Sequence, residues 1–154
     1  MSDNKQFATF SVGSLFLGVE VLKVQEVLRY QAMTRVPLAP DIVEGLINLR
    51  GQIVTAINLR RRLDLPARPD DQRPMNVVLR SDDGAVSLLV DEIGDVVEVN
   101  PDDFERTPET LRRPARDLIT GVYKLKERLL LILDTERAVT LPVAFDREPP
   151  AGSQ

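Results

Sequence analysis

The feature that most constrains this chain is the brevity of its apolar segments, each cut off by glycine, proline, asparagine or aspartate. Phe7-Ala8-Thr9-Phe10-Ser11-Val12 and Leu15-Phe16-Leu17-Gly18-Val19-Glu20-Val21 flank Gly13-Ser14, the pattern of a β-hairpin. Leu22-Lys23-Val24 reads as a tight or 3₁₀ turn, and residues 25–30 as a third strand. A helix over 21–28 is the rival reading, because Val21, Val24, Val27 and Leu28 also fall at helical spacing. Pro37 and Pro40 remove two amide donors and push their neighbours to extended geometry, so 36–40 is irregular. Residues 42–49 and 52–57 read as strands joined across Arg50-Gly51. Asn58 is placed to cap a short helix over 59–63, its side-chain oxygen taking an orphan amide. The proline-containing stretch 66–74 is a connector.

The second half repeats the programme. Strands are expected at 75–79, 85–90 and 96–99, with a turn at Ser81-Asp82-Asp83-Gly84. Residues 100–116 read as a long loop with a helical turn. A hairpin over 121–125 and 128–133 turns at Lys126-Glu127, and Asp134 caps a short helix over 135–139. A displacement that carries Val19 onto Leu88 matches Val19-x-Val21-x-x-Val24-x-Glu26-Val27-Leu28 to Leu88-x-Val90-x-x-Ile93-x-Asp95-Val96-Val97. A second, carrying Gly45 onto Gly121, matches 45–63 to 121–139 and sets Asn58 on Asp134. The expected architecture is all-β: two five-stranded lobes with short helical turns. Strands this short and numerous suit small closed barrels, which also remove aggregation-prone edges. We expect one domain over 5–146. Its first lobe is placed at about 7–66, the connector at 66–74 and the second lobe at about 75–142, with terminal strands free to cross between lobes. Residues 147–154 are expected to be a disordered tail.

Composition narrows the chemistry. The 154 residues contain neither histidine nor cysteine. Thiolate nucleophiles, imidazole bases, disulfides, zinc sites built on these residues and phosphotransfer through histidine are therefore excluded. No catalytic constellation, metal site or cofactor site is recognised. Asp82-Asp83 and Asp102-Asp103 lack the spacing of a calcium loop and suit turns or caps. The longest apolar run, Leu129-Leu130-Leu131-Ile132-Leu133, is far from the roughly 20 residues of a membrane span. Met1 to Gln6 is polar, so a cytoplasmic protein without a signal peptide or membrane insertion is expected. The net charge of −4 is divided into +3 over residues 1–68 and −7 over 69–154. That balance is poor for nucleic-acid binding and suits docking to proteins through faces of different sign.

One run is distinctive: Arg35-Val36-Pro37-Leu38-Ala39-Pro40-Asp41-Ile42-Val43-Glu44-Gly45-Leu46-Ile47-Asn48-Leu49-Arg50-Gly51-Gln52-Ile53-Val54. It resembles the CheW family of chemotaxis coupling proteins, as do Val24-Gln25-Glu26-Val27 and Leu89-Val90-Asp91 leading to Asp95-Val96. The resemblance extends from about Phe7 to Leu141. It implies two SH3-like barrels packed side by side and a non-enzymatic adaptor. Its implied partners are the cytoplasmic tip of a chemoreceptor (methyl-accepting chemotaxis protein) and the regulatory domain of the histidine kinase CheA, met in membrane-associated arrays. Many members have Asp where this chain has Asn58, an equally good cap.

Arg50 is the sharpest candidate, a rigid donor fork at a hairpin tip. By the resemblance, Val24, Glu26 and Val96 match receptor-groove positions, and Asp95 stands opposite Glu26 in the repeat. Strand alternation puts Val24 on an exposed face and Val27 in the core. Gly45 and Gly51 read as backbone necessities. Arg60-Arg61-Arg62, like Arg112, Arg113 and Arg116, reads as solvated surface. Two other functions fit the fold: a CheW-like module of another chemosensory-type pathway serving motility or development, and a barrel that binds oligonucleotides through exposed aromatics on a basic face.

Overall fold

Turn chemistry and alternation set the local pairs. In the computed structural model, which describes residues 4–81 and 84–140, β1 (Lys5–Val12) pairs with β2 (Leu15–Glu20) from Phe7↔Glu20 to Val12↔Leu15. A 3₁₀ turn over Val21–Lys23 leads into β3 (Val24–Leu28), which decides between the strand and helix readings of this stretch. β4 (Val43–Leu49) and β5 (Gln52–Asn58) close on Arg50-Gly51. The Asn58 side chain accepts from the Arg61 amide at 3.2 Å, capping α1 (Leu59–Arg62). β6 (Met75–Ser81) and β7 (Gly84–Val90) form the next hairpin. β8 (Glu92–Val99) begins earlier than its sequence suggested. The expected loop 100–116 contains a 3₁₀ turn at Pro101–Asp103, capped by Asn100, and a two-residue β9 (Phe104–Glu105). α2 (Ala115–Leu118), β10 (Ile119–Lys124), β11 (Leu129–Leu133) and α3 (Thr135–Val139) complete the described chain. Asp134 caps α3 as Asn58 caps α1, accepting from the Arg137 amide at 3.1 Å. Asp82-Asp83 and the expected tail 147–154 lie outside the described residues.

The strands form two sheets, ordered β8-β1-β2-β11-β10-β9 and β3-β6-β7-β5-β4. The lobes are therefore not the two halves of the sequence. The β1–β2 hairpin joins strands from the second half, and the β6–β7 hairpin joins strands from the first. Each hairpin is tied in through a parallel pairing, β2 to β11 and β7 to β5. Crossing thus involves two hairpins rather than terminal strands alone, and the 66–74 segment joins β5 and α1 to β6 of the same sheet rather than dividing two lobes.

Three cores follow from this arrangement. All five strands of the second sheet contribute to one small core, which holds Leu28, Ile47, Leu49, Val54, Ala56, Val78, Ala85 and Leu89, so the sheet curls around it as a barrel does. Phe7, Val99, Tyr123, Leu130 and Ile132, with Phe16 and Val97 against them, fill the other barrel. The largest core lies between the sheets and takes Phe10, Val12, Leu17 and Leu131 from one, and Ile57, Val77, Leu79 and Leu88 from the other. Strands such as β11 are buried on both faces, which explains their unbroken apolar runs.

The internal repeat holds pair by pair. Phe7↔Glu20, Ala8↔Val96 and Phe10↔Ile93 correspond to Asn76↔Leu89, Val77↔Val27 and Leu79↔Val24. Gly45↔Ala56 corresponds to Gly121↔Ile132, and the parallel pair Leu131↔Leu17 to Thr55↔Val86. Even the bulges recur at matching positions, between Ala8 and Phe10 against β8 and between Val24 and Glu26 on β3.

Candidate docking surface

The β4–β5 tip is built from backbone necessity outward. Arg50 and Gly51 both have positive φ, 51° and 88°, as a two-residue type I′ hairpin turn requires. The Asn48 side chain accepts the Gly51 amide at 2.9 Å and fixes the turn. Gly45 has a different reason to be glycine: a Cβ there would stand 2.7 Å from the Thr34 carbonyl oxygen, where residue 34 bridges to Leu46. With the turn so set, the Arg50 side chain reaches Glu26 on β3 and donates to its carboxylate. β3 and β4 are opposite edges of the sheet, so this ion pair fastens the barrel across its open seam. The Arg50 side chain remains 68% exposed and that of Glu26 only 23%, leaving guanidinium donors turned to solvent. Gln25 Nε2 lies 3.4 Å from both the Glu26 carboxylate and Gln52 Oε1, extending the polar link.

Of the sequence candidates, then, Glu26 and Arg50 come together, with Val24 on the same strand. Asp95 and Val96 stand apart on β8 in the other sheet. The roles read for the valines are reversed. Val24 is half-buried against the central core, and Val27 is 45% exposed. The cause is the bulge at Gln25, where two residues of β3 advance against one of β6 and break the alternation. The matching bulge half-buries Ile93 and leaves its neighbour Val96 exposed at 58%. Each barrel therefore offers an exposed valine on its outer strand, paired across a ladder with a core-side residue (Val77 or Ala8). Asp95 is exposed, and its carbonyl accepts the Thr9 hydroxyl at 2.6 Å.

Two features escaped the sequence. Ile53 is exposed beside the Arg50 turn, and alternation does not single it out, because Ile57 shares its parity on β5 yet is fully buried. The second is an ionic clamp. Arg60 donates to both oxygens of Asp91 at 3.0 and 2.6 Å and to the Pro66 carbonyl at 2.8 Å. Arg68 meets the same carboxylate at 3.0 Å, and the Gly13 amide donates to it at 2.7 Å. Burial works to raise the Asp91 carboxyl. The hydrogen bonds from Arg60 and Gly13, with the charges of Arg60 and Arg68, outweigh it and hold the group below the ordinary carboxylate range. Two members of the arginine run on α1 are thus not solvated surface, since Arg62 also donates to the Arg137 and Ala138 carbonyls, whereas Arg61 between them is exposed as expected. Only the phase that the Asn58 cap gives α1 could have pointed Arg60 at the residue after β7.

This arrangement of two curled sheets with an Arg-Gly tip can be set against known proteins. A family model described as the CheW-like domain matches residues 6–142. The chain belongs to the CheW family. It is 32% identical over 136 residues to the chemotaxis protein CheW of Klebsiella aerogenes, covering 88% of this chain and 82% of that one. To the CheW of Bacillus subtilis it is 31% identical over 130 residues, covering 84% and 83%. The scaffolding protein TtCheW of Thermoanaerobacter tengcongensis shares the fold, with a TM-score of 0.75 over 94% of each chain at 23% identity. The CheW family is one of adaptors rather than enzymes, and its members work through protein contacts. No helix among the described residues is long and apolar enough to cross a membrane.

Proposed function

We propose that this CheW-like chain couples the cytoplasmic tip of a chemoreceptor to the regulatory domain of a CheA histidine kinase. The observation that carries the reading is the Glu26–Arg50 pair. It sets a solvent-facing guanidinium against β3 and three positions from exposed Ile53, so a polar and an apolar contact are offered at one hairpin tip. A receptor tip is an α-helical hairpin, and an apolar strip flanked by a charged fork accepts one face of a helix and fixes its register. Val96, with Asp95 beside it, supplies apolar surface on the other barrel. Contacts of this size are individually weak and gain strength from repetition in an array.

The test is a titration of the purified protein with a receptor-tip hairpin and, separately, with a CheA regulatory domain. Dissociation constants of roughly 10 μM or tighter are expected. Arg50→Ala and Val96→Asp should each weaken binding to at least one partner by about tenfold, a loss of roughly 1.4 kcal/mol. Failure of both partners to bind at about 100 μM would reject the assignment.

A further inference from the structure

The two halves of the chain meet through four strand ladders among the described residues: β1 with β8, β2 with β11, β3 with β6 and β5 with β7. The central core is shared in the same way, with Phe10, Leu17 and Ile57 from the first half against Val77, Leu88 and Leu131 from the second. None of these contacts depends on whether the two halves belong to one chain. Residues 63–74, which link them, are held at both ends and loose in the middle. At the entry Leu65 packs on the central core, Pro66 accepts from Arg60 at 2.8 Å, and Arg68 Nε donates to Asp91 at 3.1 Å. At the exit Pro74 is buried, and the Arg73 guanidinium stands 4.9 Å from the centre of the Tyr30 ring. Between them Pro69, Asp70, Asp71 and Gln72 are all exposed. A backbone hydrogen bond from the Gln72 amide to the Pro69 carbonyl, at 3.0 Å, closes them as a turn with two like charges at its centre.

We infer that this turn is a hinge at which two copies of the chain exchange halves, the first half of each closing on the second half of the other. Opening at 69–72 leaves the anchors in place. Leu65, Pro66 and Arg68 travel with the first half, Arg73 and Pro74 with the second, and each meets its usual neighbours in the exchanged pair. The closed and exchanged forms therefore differ in one exposed turn. Tethering favours the closed monomer when the chain is dilute, because the matching half is always at hand. Mass action favours the exchanged pair when chains fold together at high concentration. The pair carries two Arg50 tips where the monomer carries one, so it presents each docking surface twice. The exchange stands independently of which partner docks there.

The experiment refolds the full chain from urea at about 500 μM and sizes it by chromatography with light scattering, since slow unfolding preserves whichever form is reached. Gln72→Pro removes the amide that closes the turn and pushes Asp71 to extended geometry. Asp70→Pro puts proline at the second position of the turn, where it is favoured. Both sites are exposed, so both variants should fold. Gln72→Pro is expected to give at least about tenfold more dimer than Asp70→Pro, with the wild type between them. The chain has no cysteine, so introduced thiols report without background. Gln6 and Glu98 are exposed partners across the β1–β8 ladder, one from each half. Chains carrying Gln6→Cys and chains carrying Glu98→Cys, each with Gln72→Pro, should form a disulfide between copies when refolded together under mild oxidation. A dimer without that disulfide, a dimer that falls apart at once on dilution, equal dimer fractions in the two proline variants, or no dimer in any chain would each overturn the inference.

Discussion

Asp91 shows how much a single side chain can organise. It follows the buried strand β7, and its two oxygens draw in α1, the connector and the β1–β2 turn. Because the folded carboxyl titrates below its ordinary value of about 3.9, its stabilising share is complete above about pH 5 and is lost as the pH falls through the folded value. Asp91→Asn leaves Arg60 and Arg68 without their counter-charge and should cost about 3 kcal/mol at pH 7 in urea denaturation. The gap between wild type and variant should narrow toward pH 3. A gap that stays constant across that range would mean that packing, not ionisation, holds the clamp. The sequence marked Asp91 only as part of a family-like run and could not disclose this role. Aspartate after a buried strand reads as a turn, and the arginines that fold onto it arrive from 31 and 23 positions away.

At the scale of elements, strands and caps were legible because their signals are local. Glycine-bounded alternation gave the hairpins, and Asn58 and Asp134 cap the helices for which they were read. The bulge on β3 was not legible, because Val24 and Val27 are both apolar and nothing in their chemistry says where an extra residue enters the ladder. That one irregularity exchanged the burial of the two valines and, by repetition, set Val96 outward. The β4–β5 turn poses a conflict of another kind. A type I′ turn favours asparagine over arginine at its first position, since L residues other than Asn, Asp and Gly strain at positive φ. Arg50→Asn is therefore expected to raise stability by about 0.5–1 kcal/mol while weakening partner binding. A variant that loses both stability and binding would show that the Glu26 pair outweighs the strain.

The whole molecule is one interlaced unit. Its largest core draws on both sheets, and each barrel contains a hairpin from the opposite half of the sequence. Neither half can complete a sheet alone. Fragments 1–74 and 75–154 are each expected to lack cooperative unfolding by circular dichroism. Mixed at about micromolar concentration, they should recover the native spectrum, since association is driven by burying the shared core. Independent folding of either fragment would contradict the interlacing. The sequence showed the repeat but not the exchange. Both hairpins carry the same register and matching bulges, so strand-level signals are identical whether each stays with its own half or crosses over.

The crossed hairpins also speak to ancestry. A gene encoding a single half would have had to form a two-fold dimer, with each copy lending its hairpin to the other. Any substitution in such a dimer would appear on both faces at once. A single chain whose repeats are joined through residues 63–74 is free of that constraint, and its matching tips do differ, Arg50-Gly51 on one and Lys126-Glu127 on the other. Asymmetry of this kind gives a symmetric scaffold a direction, as the proposed coupling of two unlike neighbours requires.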